Sequence, residues 1–266
     1  MASLNNDFSF NGRVGNLSSY KMRGSKKNIL RSPGGPSKET IQTDPSCIAL
    51  HNNSLEWKGV TQTTKALRQA IFRIDHLRDY NYTGTLNKLL KAIQKIHPEG
   101  DHGKKPVLLS QYKYLLEGFD LNETNKLDAV IRTPIPCQIN RDTLTATVEI
   151  PELIHGFNFR NFTQLSFYRL VFTTGTVSDF AFDEEFGLYR PMDNADLNGN
   201  TVITDWLPVE SERPAETLLI EPMFTPVPAP NSTFILSGGV EFGVPDAWGN
   251  IRFKKYSGSG KLLKLG

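Results

Sequence analysis

The clearest periodicity along the chain is helical. Val60, Leu67, Ile71, Ile74 and Leu77, with Ala66 and Ala70 beside them, fall on one face, and this spacing predicts an amphipathic helix over about 58–79. Leu86, Leu89, Leu90, Ile93 and Ile96 repeat the pattern. They predict a second helix over about 85–96, with Thr83 or Thr85 as N-cap and Pro98 just past its end. Residues 79–84 join the two into a helical hairpin whose apolar faces must cover something, most naturally a sheet. From about residue 128 the period changes to two. Residues 129–132, 144–150, 165–172, 202–204, 217–220, 233–236 and 251–253 are short runs bounded by Gly, Pro, Asn and Asp. In one of them Leu144, Ala146, Val148 and Ile150 alternate with Thr145, Thr147 and Glu149, as a strand with one buried face requires. About seven such strands predict an antiparallel β-sandwich, immunoglobulin-like or jelly-roll. The expected fold class is mostly β (α+β), with the helical hairpin laid on the sandwich. Residues 107–119 read equally well as strand or helix, and the sequence contains no internal repeat.

The N-terminus follows neither period for long. Residues 14–22 and 27–32 are short extended runs joined by Arg23-Gly24-Ser25-Lys26, where Gly24 can take a positive φ, so a hairpin is expected. Its apolar residues, Val14, Leu17, Tyr20, Met22, Ile29 and Leu30, are too few for a core, and an isolated two-stranded hairpin is marginal in water. The arm therefore needs a host. The rest of the same chain, a neighbouring subunit that accepts strands at a sheet edge, and nucleic acid are the three possibilities. Residues 32–45 are rich in Ser, Pro, Gly and Thr and read as a linker, and 257–266 as a flexible connector ending in an apolar and basic tail, a second docking element. The expected division is an arm and linker over 1–45, a helical hairpin region over 46–125, a β-sandwich over 126–256 and a tail over 257–266.

The order Gly-x-Val-Gly-Asn at 12–16, the aromatic Tyr20, a basic turn and Ile29-Leu30-Arg31-Ser32-Pro33 before a polar stretch resemble the opening of a Bacteroidota protein family of unknown function. The resemblance covers at most the first quarter of the chain. It implies a bacterial or phage-like origin and carries no activity, cofactor or partner.

Charge sharpens the reading of the arm. Through residue 38, Arg13, Lys21, Arg23, Lys26, Lys27, Arg31 and Lys38 stand against Asp7 alone, a formal charge of +6; the whole chain carries +2, so the remainder carries −4. Opposite charges on arm and body steer association between copies of the chain. With 266 residues and 38% hydrophobic content, the chain can bury a core without disulfide staples, so Cys47 and Cys137 are expected as free thiols. No apolar run is long enough for a transmembrane helix, and the first residues lack the basic start and apolar core of a secretory signal, so synthesis in the cytoplasm is expected.

Motifs for catalysis are absent from the sequence: there is no Gly-x-Ser-x-Gly, no phosphate loop and no His-Glu-x-x-His. His51, His76 and His155 have no nucleophile near them in sequence, and His97, Asp101 and His102 flank a polar loop better suited to solvent than to metal. Asn194, Asp196, Asn198 and Asp205 have the spacing of a calcium loop, with Gly199 between them. Asn replaces the first Asp, however, and an Asx-rich hairpin turn is favoured. Asp183, Glu184 and Glu185 lie among aromatics. The favoured reading is an acidic loop with Phe180, Phe182 and Phe186 packed beneath it, and it also offers an acceptor for a basic arm. Paired carboxylates acting on a sugar are the other reading. No cofactor and no small-molecule substrate are expected.

The function expected is that of a non-enzymatic structural subunit, self-assembling into a tube, filament or phage-like particle. Its assembly residues would be Arg13, Leu17, Tyr20, Lys21, Met22, Arg23, Lys26, Lys27, Ile29, Leu30 and Arg31. Nucleic-acid binding by the arm, and a carbohydrate-binding sandwich using Trp206 or Trp248, are the alternatives.

Overall fold

A computed structural model describes residues 2–3, 10–21, 28–32, 34–98, 100–194, 199–225 and 229–266. The chain divides into two units, Met1–His51 and Asn52–Gly266.

The first unit is a small antiparallel sheet of β1 (Ala2–Ser3), β2 (Gly12–Val14), β3 (Leu17–Lys21) and β4 (Asn28–Arg31), in the order β1-β4-β3-β2. The arm thus folds on more strands than the single hairpin expected. Gly15 and Asn16 make a two-residue turn between β2 and β3, and Gly15 takes the positive φ of 55° that such a turn needs. The expected turn at Arg23-Gly24-Ser25-Lys26, with Met22 and Lys27, lies outside the described residues. The 32–45 stretch is more than a linker. It holds α1 (Lys38–Thr43), started by Ser37, whose Oγ accepts from the Thr40 amide at 3.1 Å.

The second unit begins within α2 (Ile48–Ala70) and continues through a 3₁₀ segment, Phe72–Leu77, to α3 (Thr83–Ile96). The helix starts ten residues before the expected 58. Its first turns carry Ile48 and Leu50 outward, so no apolar period marks them. It ends early because Ile71, Ile74 and Leu77 are spaced by three, the period of a 3₁₀ turn, and all three are buried. In α3, Leu86, Leu90 and Ile93 are buried as expected, but Ile96 is exposed, and the N-cap is Tyr82, not a threonine. The ambiguous stretch after residue 107 forms α4 (Leu109–Tyr112). The expected strand at 129–132 is instead α5 (Leu127–Val130), after which Ile131 makes one isolated bridge to Phe159. Its three apolar residues in a row fit a buried turn as well as a strand, and tertiary contact decides.

The β elements follow: β5 (Cys137–Asn140), β6 (Thr145–Ile150), β7 (Phe167–Ser178), β8 (Phe180–Asp183), β9 (Leu188–Pro191), β10 (Thr201–Ile203), β11 (Leu207–Pro208), β12 (Glu216–Ile220), β13 (Ser232–Pro245), β14 (Ile251–Phe253) and β15 (Ser259–Leu265). β7 and β13 pair along their length, from Ser232 with Ser178 to Gly243 with Phe167. β10 and β11 run along the free side of β7, and β14 and β15 along that of β13. Residues 259–265, expected in a flexible tail, are therefore a sheet strand. Ser-Gly-Ser-Gly reads as a linker, yet here glycine is needed for contact: a Cβ on Gly260 would press on Leu121 and Leu77, and one on Gly239 opposite would meet the Ser259 carbonyl. Outside this sheet, β12, β6 and β5 form a three-stranded sheet, and β8 with β9 a hairpin.

Both faces of the β7–β13 pair are covered. Val171, Val177 and Ile235 meet the helices through Leu67, Ile71, Ile74, Leu86 and Leu90. On the other face Leu170, Phe172, Phe234, Leu236 and Phe242 pack on Ala146, Val148, Ile150 and Ile220 of the small sheet. Helices, central sheet and second sheet form three layers, a mixed and mostly antiparallel architecture of sandwich kind. Each fully buried Leu or Phe contributes about 1.5–3 kcal/mol by leaving water. Every residue of these two cores lies beyond residue 51.

One buried carboxylate joins α2 to α3 by an ion pair and to Gly103 in the loop after α3 by a backbone hydrogen bond. Glu56 accepts from Lys91 Nζ at 2.6 Å and from the Gly103 amide at 3.0 Å. Burial acts to raise its pKa, but these hydrogen bonds and the Lys91 charge outweigh it and hold the carboxyl below its ordinary value. A carboxyl with a depressed folded pKa stabilises the fold above its unfolded pKa, and that contribution disappears as the pH falls through the folded value. Glu56→Gln is expected to cost about 1.5–3 kcal/mol at neutral pH. It should also flatten the acid limb of stability, as urea unfolding across the carboxylate range would record.

Candidate functional site

In the N-terminal sheet, cross-strand register sorts side chains onto two faces. Val14 pairs with Leu17, and Ser19 with both Gly12 and Leu30. Because paired residues share a face and neighbours alternate, Val14, Leu17, Ser19, Lys21 and Leu30 stand together. Arg13, Ser18, Tyr20, Ile29 and Arg31 occupy the opposite face, where the Arg31 guanidinium lies 5.5 Å from the Tyr20 ring centroid. On the first face Val14 is 64% and Leu17 44% exposed and Lys21 is exposed, while Leu30 is half-buried and Ser19 is buried. Among the described residues, no strand pairs with the outer side of β2. Of the expected assembly residues, Arg13, Leu17, Tyr20, Lys21, Ile29, Leu30 and Arg31 are thus gathered on this sheet. Arg23 and Lys26, like Met22 and Lys27, are outside the described residues.

The acidic acceptor is weaker than its sequence suggests. Asp183 closes the β8–β9 turn by accepting from the Glu185 and Phe186 amides, and it pairs with Arg190 at 3.2 Å. Glu184 pairs with Lys104 at 2.6 Å. Only Glu185 of the three has no cationic partner among the described residues. Phe180 is buried and Phe182 half-buried, whereas Phe186, expected beneath the loop, is exposed under Arg190.

The remaining sequence candidates are dispersed. Asn194 and Asp205 are exposed, and Asp196 and Asn198 lie outside the described residues. The flanking strands do not form the expected hairpin, since β9 pairs with β8 and β10 with β7. His102 bonds Asn53 at 3.1 Å. No group of three His, Cys, Asp or Glu among the described residues could hold a metal ion. Both cysteines are free, and burial pushes the Cys137 thiol up to about 11, which keeps it protonated at neutral pH. Trp248 is exposed on the β13–β14 turn, where Asp246 is already bound by Arg252. Trp206 lies against Arg169, 4.4 Å from ring centroid to guanidinium.

Sequence reasoning missed one constellation. On the helix-facing side of the central sheet, Glu241 of β13 accepts from Arg169 Nε and pairs with His76 Nε2, both at 2.6 Å. Its side chain is 3% exposed. Burial works to raise its pKa, and the two partners hold it below the ordinary value. These residues sit in a cleft of about 960 Å3, walled by Gln69, Phe72 and Arg73 on one side and by Asn200, Thr201, Ile203 and Met223 on the other. His76 and Glu241 are 165 positions apart, so no local motif joins them. The available signal was a lone carboxylate within an apolar strand, which must find a partner when buried.

Comparisons with protein-family models, with curated protein sequences and with solved structures find no match to this chain.

Proposed function

We propose that this chain is a structural subunit that assembles with copies of itself through its N-terminal sheet. The observation that carries the reading is the exposed apolar pair Val14 and Leu17, beside half-buried Leu30 on the same face. A sheet of short strands with so little buried area gains stability when a further surface covers it. A second copy of the chain is the occupant the charges favour, since a +6 arm meets a −4 remainder. The unpaired side of β2 offers strand addition as the means of contact. Asp183, Glu184 and Glu185 are a poor landing place, two of them being paired already, so the acceptor draws on the wider negative charge of the body.

Val14→Asp with Leu17→Asp places two carboxylates on that face, and it is expected to convert assembled protein into monomer in light scattering. Unchanged mass would remove the apolar face from the account. The opposite face, with Tyr20 beside Arg31, favours a second reading in which the sheet binds nucleic acid. That reading expects a single-stranded oligonucleotide to bind with steep salt dependence, and Tyr20→Ala with Arg31→Ala to abolish the binding.

A further inference from the structure

The Glu241 cleft is independent of assembly, and its charge does not suit the basic arm. Its only ionisable lining residues among those described are Arg73, His76, Arg169 and Glu241. Glu241 is bound by His76 and Arg169, so its negative charge is neutralised inside the protein. Arg73 has no ion pair among the described residues; its guanidinium rests on Phe72, 4.7 Å from the ring centroid. Arg169 uses Nε for Glu241 and stacks on Trp206, which fixes the plane of its guanidinium and leaves its terminal nitrogens without a described partner. Arg73, Arg169 and Glu241 together contribute a formal charge of +1 to the lining.

The rest of the lining divides into two kinds of surface. Thr173 and Thr201, on the same face of the sheet as Glu241, line the cleft with their hydroxyls 2.9 Å apart. At the mouth stand Phe72, 57% exposed, and Met223, 64% exposed, with Ile203 and Phe253 also open to solvent. The His76 ring packs on Phe253 at 4.8 Å. A cavity lined by apolar side chains with a few polar and cationic groups has the composition of a small-molecule site.

We infer that this cleft binds a small amphipathic oxyanion, a carboxylate or phosphate group carried on an apolar body. The planar guanidinium of Arg169 and the unpaired Arg73 would take the oxyanion, since a guanidinium matches both groups with two parallel hydrogen bonds. Phe72, Ile203, Met223 and Phe253 would cover the apolar part. Such a ligand goes beyond the sequence, which points to no small molecule.

Isothermal titration of the full chain with decanoate, decyl phosphate, inorganic phosphate and decyltrimethylammonium, each below its micelle concentration, tests this. Decanoate or decyl phosphate should bind at one saturable site, and the stronger of the two identifies the headgroup. Quenching of Trp206, read in a Trp57→Phe, Trp248→Phe background, should follow the same curve. Arg73→Glu, at an exposed side chain without ion pairs, should weaken binding about tenfold or more, given the worth of a charged hydrogen bond, and Phe72→Ser should weaken it as well. Equal binding of the cationic amphiphile, inorganic phosphate as strong as decyl phosphate, binding unmoved by Arg73→Glu, or no saturable binding would each overturn the inference.

Discussion

Replacing Asn122 by leucine is expected to lower the stability of the second unit by roughly 3–6 kcal/mol, at about 1–2 kcal/mol for each buried backbone group stranded. The Asn122 amide donates to the carbonyls of Leu77 at 3.0 Å and Gly258 at 3.1 Å, and its Oδ1 accepts from the Gly260 amide at 2.9 Å. The side chain is buried, so water cannot replace it. Leucine has the same number of side-chain heavy atoms in the same branched arrangement, so no cavity opens and the lost hydrogen bonds dominate, with some crowding from its bulkier methyl groups. A loss of that size is a large part of the 5–15 kcal/mol that typically holds a domain together. Urea unfolding should show a lower midpoint at an unchanged slope. A change below about 1 kcal/mol would mean that the 3₁₀ segment and β15 are held by packing alone.

The same junction shows what the sequence could convey. Alternation in 144–150 and helical spacing around Leu67 and Leu90 are local properties, and the elements they imply are present. Ile71, Ile74 and Leu77 were visible as apolar positions, but their spacing of three belongs to a 3₁₀ turn, a distinction that blurs within a longer periodic run. Ser257-Gly-Ser-Gly260 read as a linker because flexibility and close packing both select glycine, and only the position of Leu77 separates the two. Residues 129–132 failed as a strand because three apolar residues fix burial without fixing a period.

The candidate sites divide in the same way. The basic arm was legible because charge is additive along a sequence. Its two-faced character was not, because it depends on a turn at Gly15 and on pairing between β3 and β4. The pairing of Asp183 with Arg190 and of Glu184 with Lys104 was hidden for a similar reason: neither acid reveals its partner locally. The Glu241 cleft gathers residues from the 3₁₀ segment, β7, β10, β13 and β14, so it exists only once the sheet has formed.

The second large effect concerns the arm itself. Because both hydrophobic cores lie wholly beyond residue 51, a chain lacking residues 1–40 should keep its fold. It also loses the exposed Val14 and Leu17 and all seven cationic residues of the arm. The self-association ascribed to the sheet should then fall away while thermal unfolding of the body changes little. Attraction between a basic arm and an acidic body weakens as salt rises, so assembly of the intact chain should diminish between low and moderate ionic strength. The most direct test is the solution mass of the full chain beside this truncation, by light scattering with negative-stain microscopy at both salt concentrations. Large regular particles from the full chain and folded monomers from the truncation are the predicted result, and folded monomers in both preparations would contradict the assembly function.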